Sequence, residues 1–398
     1  MASKNYESTG VDYGVLDAAK RVAQRSAAKT EIKHGYGGAF TESRGESAFV
    51  FHVNGSSTLA TVLECLGTKS VVAREYMEAS GKNCFFNVGY DAVAAIVNDL
   101  ISVGALPLVL NAYFATGSAE WYRDKNRYEQ LVAGWSEACL NAGAVWGGGE
   151  SPTLAGLVSD VDIEIAGSAV GFVPHRAGEE GHPAPILGND LKPGDEIVFV
   201  ESAGLHANGA SLVRAIAPTL PNGYRTHLPS GREFGEAALD KSFMYVELAS
   251  ELRENDVDVT YFSHITGHGL RKVMRADKTL TYRISEMNLP VPEVLKVIAD
   301  ASDMDATAAY GTLNMGVGLA VYCSPGQGNK VVEIASEVGL NAELAGLVED
   351  GPRQVILEPL GVVFDEHELQ LRNTSPSRNR AKALSNKRTK KKQPLRRK

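Results

Sequence analysis

Four acidic residues in the first 150 positions stand beside glycine-bearing turns or inside apolar runs: Glu64, Asp91, Asp99 and Glu150. Carboxylates so placed suit Mg²⁺, which takes a few protein carboxylates and completes its shell with phosphate oxygens. The segment 97–107 (VNDLISVGALP) makes the case most sharply, because Asn98 and Asp99 interrupt an apolar run where a plain core helix would carry Leu or Ala. Burying a carboxylate without a partner is costly. A metal ion, a cationic ligand or a hydrogen-bond network is therefore expected there, with a satisfied Asn-Asp pair on a helix surface as the alternative. Glu64 is followed by Gly67-Thr68-Lys69, which puts an acid, a flexible turn, a hydroxyl and an ammonium within six residues. Gly37-Gly38, in the cluster His34 to Phe40, and Gly148-Gly149, just before Glu150, offer backbone N–H groups that can converge on an anion, or form ordinary turns. His206 and Asn208 occupy a glycine-flanked loop ahead of a helix, where an imidazole can meet an anion, donate a proton, cap or pack.

The elements that must position these groups are legible in the periodicity. Apolar residues at helical spacing mark 12–28 and, more strongly, 91–103. Residues 47–53 and 57–63 are β-branched and apolar, and the Asn54-Gly55 between them is a hairpin signal. Residues 161–173 alternate as a strand, whereas 174–193 is rich in Gly, Pro and charge and reads as a linker. Beyond it come a strand at 195–200, a helix at 210–216, a small-residue turn at 263–269 leading into an amphipathic helix, and a strand at 319–323. The expected class is α/β (α+β) in two domains, 1–173 and 194–366, around the 174–193 linker. No Ser-His-Asp triad, Walker lysine loop or dinucleotide fingerprint appears.

With 398 residues, 44% of them hydrophobic, the chain can bury one large core or two. It has no apolar run long enough to span a bilayer and no signal-peptide core near Met1, so a soluble cytoplasmic protein without membrane contact is expected. Cys65, Cys84, Cys139 and Cys323 are widely spaced and read as reduced, mostly buried thiols. The net charge of −8 conceals an asymmetry: residues 373–398 hold eleven Lys or Arg and no acid. That tail is expected to be disordered, with nonspecific nucleic-acid or acidic-surface contact as its conceivable role.

The wording of these segments resembles the phosphoribosylformylglycinamidine cyclo-ligase (AIR synthetase) family, within the superfamily that includes selenophosphate synthetase and thiamine-monophosphate kinase. The matching pieces are YESTGVD at 6–12, GYGGAF at 35–40, LGTK at 66–69, GYDAVAAIVNDLISVGALPLVLNAYFATG at 89–117 and GGE at 148–150. SAGLHANGASLVR at 202–214, HITGHGL at 264–270 and TLNMGVGL at 312–319 continue the match. The resemblance implies an ATP-dependent ring closure of formylglycinamidine ribonucleotide to aminoimidazole ribonucleotide, with release of ADP and phosphate. It also implies an N-terminal sheet completed by a second subunit in a homodimer. Carried over, Asp91, Asn98 and Asp99 would bind Mg²⁺-ATP, helped by Gly37, Gly38, Gly67, Thr68, Gly148 and Gly149. Lys69 would hold phosphates, Glu64 and Glu150 would complete the metal environment, and His206 and Asn208 would face the substrate.

Three motifs depart from the family pattern. Glu64-Cys65 stands where Asp-Gly is usual, Asn111 where an Asp is usual, and Thr153-Leu154-Ala155 where a Glu precedes Met-Pro. These changes keep open a diverged ATP-dependent enzyme acting on another small substrate, or a non-catalytic nucleotide-binding homologue. A selenophosphate synthetase would bring a reactive cysteine near its N-terminus, and here no Cys precedes Cys65.

Overall fold

The computed structural model describes residues 12–30, 36–53, 57–175 and 181–371. The basic tail, the Asn54-Gly55 turn and His34-Gly35 lie outside the described residues. The N-terminal half contains helix α1 (Tyr13–Ala27) and strands β1 (Gly37–Ala39), β2 (Phe49–Val53) and β3 (Ser57–Cys65). Helices α2 (Lys69–Ser80) and α3 (Phe85–Ile101), strand β4 (Leu106–Thr116), helix α4 (Lys125–Asn141), and strands β5 (Val145–Glu150) and β6 (Ile163–Val173) follow. The strands form one mixed sheet in the order β1-β2-β3-β6-β4-β5, antiparallel except for the β4–β5 pair. Strict alternation along β6 turns Ile163, Ile165 and Ala169 onto the helix side. The other face leaves Leu63, Leu108 and Val145 exposed.

α3 is buried along nearly its whole length. It can lie this deep because α4 approaches it backbone to backbone: a Cβ on Gly89 would overlap the Leu131 carbonyl oxygen, and one on Gly134 the Phe86 carbonyl oxygen. The expected helix at 91–103 thus begins six residues earlier, at Phe85, and ends at Ile101.

The C-terminal half runs β7 (Glu196–Glu201), α5 (Ala210–Ile216), α6 (Phe234–Ala238), α7 (Val246–Glu254), β8 (Val259–His264), β9 (Leu280–Ile284) and α8 (Glu293–Ala301). It continues with α9 (Ala306–Tyr310), β10 (Val317–Cys323), α10 (Gly328–Glu337), β11 (Ala342–Asp350), β12 (Gln354–Leu357) and β13 (Val362–Asp365). Its seven strands pair in the order β13-β12-β9-β11-β7-β10-β8, with only β12 and β9 parallel. β8 and β10 are buried at every position, as strands covered on both faces must be. One apolar cluster joins α3 to α5, α7 and this sheet across the two halves, and a second fills the far side of the sheet. The 174–193 segment is accordingly fastened down where described: Thr58 Oγ1 donates to the Pro183 carbonyl at 2.8 Å and the Ile186 N–H to Val103 at 3.0 Å.

Three expectations need correction. The amphipathic helix after residue 269 is a single 3₁₀ stretch, Gly269–Met274, buried at five of its six positions. The Ser263 hydroxyl donates to the Lys272 carbonyl at 2.7 Å, which occupies a carbonyl a longer helix would use. The four thiols are unpaired, but only Cys139 and Cys323 are buried; Cys65 points to the open sheet face and is exposed. Finally, α1 precedes the N-terminal sheet in sequence yet fastens to the C-terminal half: Arg21 Nη1 donates to the Gln370 carbonyl at 2.6 Å and Gln24 Nε2 to the Leu371 carbonyl at 3.1 Å.

Candidate active site

A cavity of about 340 Å³ opens where β3, α3 and the C-terminal loops meet. Glu64, at the end of β3, and Asp99, on α3, form its acidic wall, and Asn208 and His264 face them from the C-terminal half. His264 ends β8 and places Nδ1 2.8 Å from Asp99 Oδ1. Burial pushes the Asp99 carboxyl up, but the hydrogen bond and charge of His264, with Lys272 and Arg275 behind it, outweigh that and hold it below the usual carboxylate range. Burial lowers the His264 imidazole, against the pull of Asp99. Glu64 goes the other way: burial first, then the neighbouring Asp99 charge, raise it to about 7. Two adjacent carboxylates of which one retains its proton near neutrality form a place that a divalent cation could fill in the proton's stead.

Cations stand on the remaining wall. The Lys272 ammonium donates to the Thr266 hydroxyl, and burial lowers it to about 7. Arg275 lies 3.5 Å from Glu46 and donates to the Gly45 carbonyl at 3.2 Å. Lys20 reaches the lining from α1. The loop beneath them is conformationally demanding, since His268 adopts φ +74° and lies with Nε2 3.0 Å from Asp17 Oδ2 on α1. Of these groups, Lys20, Glu46, His264, Lys272 and Arg275 were not singled out by sequence reasoning. His264 lay within a quoted motif, but a cationic wall built from a 3₁₀ stretch and a distant helix leaves no spacing signal.

The other sequence-derived site residues are placed differently. Lys69 and Asp91 are wholly buried and paired to each other, with Nζ 2.5 Å from Oδ2. Lys69 also donates to the His206 carbonyl at 2.8 Å, and Asp91 Oδ1 accepts the Ser242 N–H at 2.6 Å. Burial pushes the Asp91 carboxyl up, opposed by Lys69 and Ser242. Asn98 spends both ends of its amide on the same C-terminal segment, donating to the Phe243 carbonyl and accepting from the Tyr245 N–H, each at 2.9 Å. Asn87 adds a bond to the Leu239 carbonyl at 2.8 Å. One side of α3 is thus riveted to residues 239–245. In this structure the polar groups of Lys69, Asp91 and Asn98 are engaged in that junction.

His206 sits beside the same junction, with its Nδ1 buried and lacking a hydrogen-bond partner. Its Nε2 accepts from the Ala203 N–H at 3.0 Å, burial holds the ring well below its usual pKa, and φ is +55°. The left-handed turn it makes carries Asn208 into the cavity. Gly67, at φ +65°, turns the chain just ahead of α2, and the Thr68 hydroxyl meets that of Ser211 at 3.1 Å. Gly37 and Gly38 lie on β1, whereas Gly148, Gly149 and the exposed Glu150 lie on β5, the opposite edge of the sheet. Close strand pairing explains two of these glycines: a Cβ on Gly37 would overlap the His52 carbonyl, and one on Gly149 the Ala112 carbonyl. The four expected metal ligands are not gathered within this chain, and among the described residues no three His, Cys, Asp or Glu side chains form a metal-holding group.

The match to known proteins follows the two halves. Residues 45–173 match the N-terminal domain of AIR synthase related proteins, and residues 192–357 match their C-terminal domain. The chain belongs to the AIR synthase related family. It is 32% identical over 347 residues to a phosphoribosylformylglycinamidine cyclo-ligase of Streptococcus agalactiae serotype Ia, covering 85% of this chain and 94% of that one. Two solved structures share the fold at low identity. The hydrogenase maturation protein HypE in complex with ATP has a TM-score of 0.54 at 17% identity, covering 77% of this chain and 83% of that one. AaThiL complexed with AMPPCP and TMP has a TM-score of 0.56 at 15% identity, covering 86% and 92%. No helix among the described residues is long and apolar enough to cross a membrane.

Proposed function

We propose that this protein is a phosphoribosylformylglycinamidine cyclo-ligase, which uses Mg²⁺-ATP to close formylglycinamidine ribonucleotide into aminoimidazole ribonucleotide with release of ADP and phosphate. The observation that carries the reading is the cavity between the halves, lined by Glu64, Asp99 and His264 together with the cations Lys20, Lys272 and Arg275, in a chain that matches both domains of the family. An amide oxygen leaves poorly, and transfer of a phosphoryl group makes it a good leaving group if the added charge is neutralised. The cationic wall fits that charge. Glu64 and Asp99 fit a Mg²⁺ ion, which would supply further neutralisation of phosphate oxygens. Asn208 presents an amide to the substrate, and Asp99 fixes the orientation of the buried His264 ring.

We further place the enzyme in the cytoplasm as a homodimer. The four unpaired thiols favour a reducing compartment, and the uncovered apolar sheet face, with Leu63, Leu108 and Val145, favours a second copy. Incubation of the purified protein with formylglycinamidine ribonucleotide and Mg²⁺-ATP tests the reading. Aminoimidazole ribonucleotide and ADP should form in equal amounts, and Asp99→Asn should abolish both. ADP release without the imidazole product, or no turnover, overturns it. Light scattering at micromolar concentration should give twice the chain mass, and a monomer would overturn the assembly.

A further inference from the structure

Helix α1 is attached in an unusual way. Its apolar residues Val15, Leu16 and Val22 are exposed, and among its described side chains the one buried is a carboxylate, Asp17, held by His268. Contacts from Arg21 and Gln24 to the carbonyls of residues 370 and 371 also end on the C-terminal half. The helix therefore crosses the cavity rim fastened by polar contacts at separate points, with no buried apolar side chain among its described residues. From that position it sends Lys20 and Gln24 into the lining, beside Leu371.

The three cations of the cavity are not equivalent. Lys272 is engaged by the Thr266 hydroxyl, and Arg275 by Glu46 and the Gly45 carbonyl. The Lys20 charge acts on both Glu64 and Lys272 within the cavity, and within the described residues no hydrogen bond or ion pair fixes it. A flexible ammonium at the mouth of a cavity with an acidic wall that repels anions is placed to receive the anionic end of a ligand whose other end lies deeper. We propose that α1 is a strap that brings Lys20 onto a phosphoryl group of the ligand bound in this cavity. This rests on reading the cavity as the catalytic site. The phosphoryl group belongs either to the nucleotide or to the ribonucleotide substrate.

The test uses the full chain with Lys20→Met, Lys20→Arg and Asp17→Asn. Calorimetric binding of ribose 5-phosphate and of a non-hydrolysable ATP analogue is measured alongside KM for each substrate. Loss of a charge-assisted contact should weaken one of the two phosphate ligands about tenfold in Lys20→Met, with kcat falling by a smaller factor and Lys20→Arg recovering most of the loss. Weakening confined to the ATP analogue assigns the nucleotide phosphate; weakening confined to ribose 5-phosphate assigns the sugar phosphate. Asp17→Asn should reproduce part of the loss and speed hydrogen exchange of the α1 amides. Unchanged affinity for both probes in Lys20→Met overturns the proposal, and unchanged exchange in Asp17→Asn overturns the strap. Binding is read without turnover, so a protein that binds these probes through Lys20 but closes no imidazole ring overturns the cyclo-ligase reading alone.

Discussion

At the scale of single residues, the decisive distinction is between charges that are consumed by the fold and charges that are left for a ligand. Lys69 and Asp91 carry the right chemistry for phosphate and metal, yet the pair has no exposed surface and its remaining hydrogen bonds cross to the other half. Removing one partner strands the other in the interior, so Lys69→Met should cost about 3–5 kcal/mol in urea denaturation, and Lys69→Met with Asp91→Asn should recover much of it. A neutral single variant would show that the pair does not hold the junction. Glu64 is the opposite case. Its folded pKa of about 7 lies above the ordinary carboxylate value of 4.5, so the folded state binds more protons between those limits and loses stability as pH rises from 4.5 to 7. Glu64→Gln should therefore gain thermal stability relative to the parent across that window and show no relative gain below it; a difference independent of pH would contradict the assignment. The need for a partner at Asn98 and Asp99 was legible, because polar residues inside an apolar run demand one. The partner's identity was not, since His264 lies 165 residues from Asp99 in sequence.

At the scale of elements, alternation in β6 and the apolar stripe of α3 announced themselves, and the two-strand pairing of β2 with β3 followed from its flanking pattern. Glycines are ambiguous in a sequence, because the same residue serves a phosphate loop and a tight backbone approach. Gly149 lacks a Cβ because Ala112 occupies that space, which no local pattern reports. The glycines of the α3–α4 contact follow the same logic with larger consequences, since α3 carries Asp91, Asn98 and Asp99 together. Gly134→Ala would drive a methyl group into the Phe86 carbonyl and push α4 outward. We expect a loss of about 2–3 kcal/mol by chemical denaturation, with activity reduced at temperatures where the variant is still folded. A variant as stable as the parent would mean the helices are not in backbone contact.

At the scale of the whole molecule, the sequence indicated two mixed α/β halves but not their fusion through a shared core, because long-range packing between them has no periodic signature. It also assigned the first helix to the wrong half, since order along the chain says nothing of where an amphipathic segment docks. The boundary of the basic tail can now be placed by function. Deleting residues 373–398 should leave melting temperature and turnover unchanged, while extending the deletion through Gln370 and Leu371 removes the carbonyls that hold α1 and should raise KM. Any affinity of the full chain for RNA should disappear with the shorter deletion and fall steeply with added salt. Salt-insensitive binding, or turnover lost with the shorter deletion, would place the tail within the enzyme proper.

The rivets along α3 also decide how a ligand gets in and out. A jaw-like rotation of one half against the other would have to break the Asn98 pair of bonds, the Ser242 bond to Asp91 and the Lys69 bond to His206 in a single event. Exchange through a 15-residue helix held by polar contacts faces a far lower barrier. Release of product should therefore quicken when α1 is loosened and be indifferent to cross-links between the halves, so that in this enzyme the clock of turnover is the residence time of a strap and not the swing of a hinge.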